Sequence, residues 1–206
     1  MLYTQSVNTR LLEILSELMN NSYFDNFFLV GGTSIALQIG HRLSVDIDLF
    51  GSQELDEIEI SNFLLSLGKV QILKKSKNIL IYSVDGIKVD FVNYQYPWLY
   101  PPTIQKELRL AHLNDLAAMK LNAISGRGSK KDFIDIYFLL QYISLAEMIS
   151  LYQQKFKDGS SFLVLKSLTF FDDADSEQTP NMLVHTSWKN IKETIITEVK
   201  KYFETK

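Results

Sequence analysis

Residues 29–50, LVGGTSIALQIGHRLSVDIDLF, constrain this chain more than any other stretch. The apolar run Phe27-Phe28-Leu29-Val30 stops at Gly31-Gly32, and an apolar helical pattern over residues 33–39 starts straight after the turn. That order reads as a buried strand feeding a helix, with Gly40 as the C-terminal stop. Paired glycines let backbone approach a ligand closely, and the first turn of a helix presents unpaired N–H groups to an anion. Thr33 and Ser34 add hydroxyl donors, so Gly31, Gly32, Thr33 and Ser34 together suit a triphosphate. Taken alone, the glycine pair is weak evidence and reads first as an ordinary strand-to-helix turn.

Residues 44–50 (SVDIDLF) read as a second strand. Its period of two places Asp46 and Asp48 on one face and Val45, Ile47 and Leu49 on the other. Neighbouring carboxylates repel and raise each other's pKa unless a cation lies between them. Hard oxygen ligands favour Mg²⁺ or Mn²⁺. Just ahead, Arg42 is placed to hold phosphate or pair with Asp46, and His41 reads as a surface histidine. A third acid, Asp90, sits in the apolar strand 87–93, which returns from the tight-turn signal Asp85-Gly86. A buried carboxylate needs a partner or a metal. Alone, Asp90 also reads as a salt-bridge acid at a strand end. Beside the Asp46/Asp48 strand it makes three converging carboxylates, a set that with two metal ions can activate a hydroxyl and stabilise a pyrophosphate leaving group.

The rest of the chain frames this constellation. With 206 residues and 46% hydrophobic composition, it can build one large domain or two small ones. It has no cysteine, which removes disulfide frameworks and thiolate chemistry. Its net charge of −3 gives no global basic footprint for nucleic acid. Two local clusters remain for phosphate: Lys69, Lys74, Lys75 and Lys77, and Arg127, Lys130 and Lys131. The first residues lack a basic segment followed by an apolar one, and no apolar run reaches the ~18 residues of a span. The expectation is a cytoplasmic protein without a membrane segment.

Before residue 100 short β-type runs alternate with helices, and afterwards the pattern is mostly helical. The proline-rich segment 96–102 is the expected boundary between residues 1–100 and residues 101–206. Helices are expected over 11–19, 56–67, 115–125, 131–143, 144–156 and 188–203, with further strands over 70–73 and 78–84. Residues 160–170 are ambiguous, and 172–181 read as a solvated acidic loop. Phe138, Tyr142, Phe156, Phe162, Phe170 and Phe171 are expected to fill the helical core.

The order strand–GG[TS]–helix, then a D-x-D strand, then a lone acid on a later strand resembles the DNA polymerase beta-like nucleotidyltransferase superfamily. The strings Val30-Gly31-Gly32-Thr33-Ser34 and His41-Arg42-Leu43-Ser44-Val45-Asp46-Ile47-Asp48-Leu49-Phe50 narrow the resemblance to AbiEii/AbiGii-type nucleotidyltransferase toxins. So do residues 115–124 (DLAAMKLNAI), Arg127-Gly128 and residues 130–137 (KKDFIDIY).

The resemblance implies an α+β nucleotidyltransferase fold, a small mixed sheet with flanking helices, followed by a helical region that completes the active site. It implies NMP transfer from an NTP to an acceptor hydroxyl with two Mg²⁺ or Mn²⁺ ions held by Asp46, Asp48 and Asp90. The triphosphate would be held by Gly31, Gly32, Thr33, Ser34 and Arg42. Lys120 and Asp132 join the site by resemblance, Lys120 on phosphate and Asp132 orienting Lys120 or serving the nucleophile. Independently, Lys120 lies on an otherwise apolar helix face, where its charge needs a partner. Asp132 and Asp135 open the next helix, Asp135 as a capping acid or a partner of Arg127 or Lys131.

A tRNA acceptor and an antitoxin partner are further implications. A protein acceptor, a small-molecule transferase of the aminoglycoside-modifying sort and a non-enzymatic binding module on the same fold are the alternatives.

Overall fold

The computed structural model describes residues 2–204, which form two compact units, residues 2–95 with 102–111 and residues 96–101 with 112–204.

The first unit is built on a seven-stranded mixed sheet. Its strands are β1 (Phe27–Leu29), β2 (Ile47–Gly51), β3 (Val70–Ser76), β4 (Ile79–Val84), β5 (Ile87–Asn93), β6 (Thr103–Gln105) and β7 (Leu108–Leu110), in the order β3-β4-β5-β2-β1-β7-β6. Three helices belong to it: α1 (Thr9–Asn20), α2 (Gly31–Ile39) and α3 (Glu57–Leu67). In α1, Asn8 caps the start by accepting from Leu11 N–H, and Leu11, Ile14, Leu15, Leu18 and Met19 form its buried stripe. Asp56 caps α3 through the amides of Ile58 and Glu59.

Alternation then sorts the sheet. Ile47 and Leu49 of β2, Leu80, Tyr82 and Val84 of β4, and Val89 and Phe91 of β5 join α1 and α3 in one core. Asp48, Lys88 and Asp90, together with Ile79, Ile81 and Val92, occupy the opposite, half-buried face. Asp85 and Gly86 both take positive φ, 49° and 86°, as the tight turn between β4 and β5 requires.

Several expectations are corrected here. The second strand begins at Ile47, so Asp46 lies just ahead of it and Val45 is 60% exposed rather than core. The main chain at 44–46 is bound instead to neighbours: Ser44 N–H donates to Ser6 O, and Thr33 Oγ1 donates to Asp46 O. His41 is fully buried, not a surface histidine. The hairpin β6–β7 has no counterpart among the elements expected after the prolines. It joins the sheet by pairing β7 with β1 in parallel. Arg109 of β7 fastens it, donating to the carbonyls of Met19, Phe24 and Phe27.

The second unit contains α4 (Leu113–Gly126), α5 (Lys130–Leu139), α6 (Leu145–Lys155), α7 (Ser161–Ser167), α8 (Asp172–Asp175) and α9 (Trp188–Glu204). The ambiguous segment is thus the helix α7. The expected acidic loop opens with the short helix α8, where Asp175 accepts from Trp188 Nε1 and Lys192 Nζ. Phe138, Phe156 and Phe171 are buried as expected, but Tyr142, Phe162 and Phe170 are exposed.

A fully buried ion pair, Lys155 Nζ to Asp115 Oδ1 at 2.6 Å, ties α6 to the first turn of α4. Asp115 also accepts from the amides of Leu99 and Tyr100, and Lys155 donates to Pro97 O and lies over the Trp98 ring. Both charges are therefore satisfied without water. None of the described helices is long and apolar enough to cross a membrane.

Candidate active site

In the first unit the turn between β1 and α2 brings the chain against two other segments. Gly31 takes φ +67°, which favours glycine, and a Cβ built there would stand 2.1 Å from Asp48 Oδ2. At Gly32 a Cβ would meet Arg42 Nη2 at 2.2 Å and Ser44 Oγ at 3.5 Å. The glycine pair is therefore a passage of bare backbone between the Asp48 carboxylate and the Arg42 guanidinium. Thr33 and Ser34 follow in the first turn of α2, both buried, and Thr33 Oγ1 lies 2.8 Å from Ser44 Oγ. Arg42 is itself buried and donates from Nη1 to Leu43 O.

The parallel pairing of β2 with β5 sets Asp48 directly opposite Asp90. In-register residues on neighbouring strands project to the same face, so both carboxylates share it. Asp90 Oδ2 accepts from Lys88 Nζ at 2.5 Å, while Asp90 Oδ1 is buried without a hydrogen-bond partner. Burial pushes the Asp90 carboxyl above its ordinary range. Lys88 pulls it back down, and the nearby Asp46 charge adds to the rise.

An unsatisfied buried carboxylate oxygen beside a second, in-register carboxylate fits a divalent cation. The residues that could hold one are Asp48 and Asp90, with Asp46 at the entry to β2. Among the described residues no three His, Asp or Glu side chains are already gathered as a metal cage.

The second unit holds a separate charged cluster. Lys120 of α4 is buried, with Nζ 2.9 Å from Asp132 Oδ1 and 2.7 Å from Asp135 Oδ2 of α5. Arg127 donates to both oxygens of Asp132, and Ser129 Oγ donates to Oδ2. Burial alone would push Asp132 up, but Arg127, Lys120 and Ser129 together hold it well below the usual carboxylate range. Asp135 is thus the second acceptor of Lys120. Its i, i+3 spacing from Asp132 was the signal for that shared face. Lys130, counted above among the cations for phosphate, is buried, with Nζ donating to the carbonyls of Asp175 and Glu177. By contrast, Lys74, Lys75 and Lys77 lie exposed along and just beyond the edge strand β3.

Comparison with known proteins adds to this geometry. The family described as "Nucleotidyl transferase AbiEii toxin, Type IV TA system" matches the chain over residues 13–106 and 82–206. An uncharacterized protein of Aquifex aeolicus is 35% identical over 198 residues, 93% of this chain and 95% of that one. JHP933 of Helicobacter pylori has a similar fold, with a TM-score of 0.60 at 14% identity over 95% of this chain and 90% of that one. MenT4, a nucleotidyltransferase toxin of Mycobacterium tuberculosis, has a TM-score of 0.59 at 14% identity, covering 92% and 82%.

Proposed function

The chain belongs to the AbiEii nucleotidyl transferase toxin family, and from that premise we propose that this nucleotidyltransferase moves NMP from an NTP onto an RNA hydroxyl, with tRNA as acceptor. The acceptor oxygen bonds to the α-phosphorus, the bond from that phosphorus to the β-phosphate oxygen breaks, and pyrophosphate leaves. The observation that carries this reading is the in-register pair Asp48 and Asp90 beside the bare backbone of Gly31 and Gly32.

The roles follow from the local chemistry. The backbone of Gly31 and Gly32 and the first turn of α2 hold the triphosphate, with the hydroxyls of Thr33 and Ser34 fixing its register. Arg42, lying across Gly32, neutralises a phosphate oxygen. Asp90, whose burial raises its proton affinity, would receive the proton of the attacking hydroxyl. Asp46, Asp48 and Asp90 would hold Mg²⁺ or Mn²⁺, up to two ions in the loaded enzyme. Such ions would supply Lewis acidity toward the attacking hydroxyl and positive charge toward the pyrophosphate. Lys120, locked between Asp132 and Asp135, lends its charge to an anionic substrate group, and Asp132 orients it.

An antitoxin protein, cytoplasmic residence and the division of work between residues 1–100 and 101–206 belong to the same reading.

The test is incubation with each α-³²P-labelled NTP, Mg²⁺ and total tRNA, with Asp48→Ala in parallel. Label on RNA that is lost in the variant supports the reading. Label on protein, or none on RNA, overturns the tRNA acceptor. Activity that survives in Asp48→Ala overturns the role of that carboxylate.

A further inference from the structure

Asp90 has two oxygens in different situations. Oδ2 is held by Lys88 Nζ at 2.5 Å, and Oδ1 is buried without a hydrogen-bond partner. Lys88 stands two residues earlier on the same strand, so the alternation of β5 puts its ammonium on the face that carries Asp48 and Asp90. Its side chain is 41% exposed, against 15% for Asp90, so it reaches in from the solvent side. Arg42 lies across Gly32 and donates to Leu43 O. Lys88 is absent from the roles assigned above.

The Lys88 ammonium cancels one of the carboxylate charges that would attract a divalent ion to this face. A lysine that merely steered Asp90 toward a metal would strengthen metal binding. A lysine that already neutralises Asp90 competes with the metal. The ammonium is bonded directly to one of the carboxylate oxygens a cation would use, so competition is the stronger effect.

We propose that Lys88 is a built-in counter-ion to Asp90 that weakens divalent-cation binding in the substrate-free protein. This rests on the carboxylate cation site of the proposed function. Lys88 is a positioning residue here: it acts on the cation through Asp90.

The experiment is an Mn²⁺ titration of the full chain without NTP, read by the electron paramagnetic resonance signal of free Mn²⁺. Wild type, Lys88→Met and Lys88→Arg are compared, with thermal melts confirming that each is folded. Wild type and Lys88→Arg should bind Mn²⁺ with the same affinity. Lys88→Met should bind that ion about tenfold more tightly, since a full charge a few ångströms from a divalent ion is worth at least this even under water-like screening. Lys88→Gln replaces Lys88→Met if the latter fails to fold. Unchanged or weaker Mn²⁺ binding in the neutral variant overturns the proposal, as does the absence of Mn²⁺ from both wild type and neutral variant. Label transfer to RNA is measured on the same preparations. Tighter Mn²⁺ binding without transfer sinks the transfer reading and leaves this proposal standing, whereas transfer with unaltered Mn²⁺ binding does the reverse.

Discussion

Replacing Gly31 by alanine tests the geometry of the first unit at its tightest point. Two costs are separable. The first is backbone strain: φ +67° lies in the left-handed region, which costs an L-residue about 1–2 kcal/mol. The second is steric. The new Cβ would stand 2.1 Å from Asp48 Oδ2 and 2.9 Å from its Cγ. An ordinary non-bonded separation is about 3.5 Å, so the carboxylate oxygen must retreat by roughly 1.4 Å. Displacing a positioned group that far costs about 100-fold in rate.

The strain alone lowers Tm by roughly 2–8 °C. Against a domain stability on the order of 5–15 kcal/mol, it leaves nearly all molecules folded at 25 °C. The loss of kcat in Gly31→Ala must therefore far exceed any loss of folded protein. Gly86→Ala is the control. Gly86 has φ +86°, and a Cβ added there would meet nothing within 4 Å, so the variant carries the strain without the clash. Label transfer to RNA and calorimetric melting, run on both variants, separate the two costs. A Gly31→Ala enzyme with wild-type kcat, or a Gly86→Ala enzyme equally crippled, would refute the reasoning.

Lys120→Met should destabilise the protein by about 3–5 kcal/mol in urea unfolding, because it leaves Asp132 and Asp135 buried with one cation fewer. Adding Asp135→Asn should recover part of that loss, and transfer should stay impaired in both. Asp132, with its folded pKa depressed, contributes stability that is complete above the unfolded carboxyl's range and lost progressively below about pH 5, since the unfolded chain binds the proton first. Asp132→Asn should flatten the acid limb of urea midpoint against pH, and an unchanged limb would remove Asp132 as its source. Lys74→Glu with Lys77→Glu, on the exposed edge of the first unit, should weaken tRNA binding and reduce its salt dependence by roughly 0.7 log units per lost phosphate contact. An unaltered salt slope would place the RNA elsewhere.

What was legible in the sequence is local. The strand stopped by Gly31-Gly32, the helix after it, Gly40 in the left-handed region and the Asp85-Gly86 turn each follow from a few adjacent residues. Their backbone requirements are met by those residues alone. Short elements that depend on distant partners were not legible. The hairpin β6–β7 has three-residue strands, too short for any periodicity, and it exists because β7 pairs with β1 and Arg109 reaches three carbonyls of another segment. Val45 has the composition of a strand residue, yet the strand starts two residues later, where pairing with β5 begins.

Sequence by itself thus determined which residues carry charge, which backbone positions need glycine, and the family to which the chain belongs. Only tertiary structure decided partnership: Asp48 opposite Asp90, Lys88 on one oxygen of Asp90, Lys120 between Asp132 and Asp135, and Lys155 on Asp115. The physical reason is that a buried charge must be satisfied by whatever the fold brings within about 3 Å. Neighbours along the chain say little about what that will be.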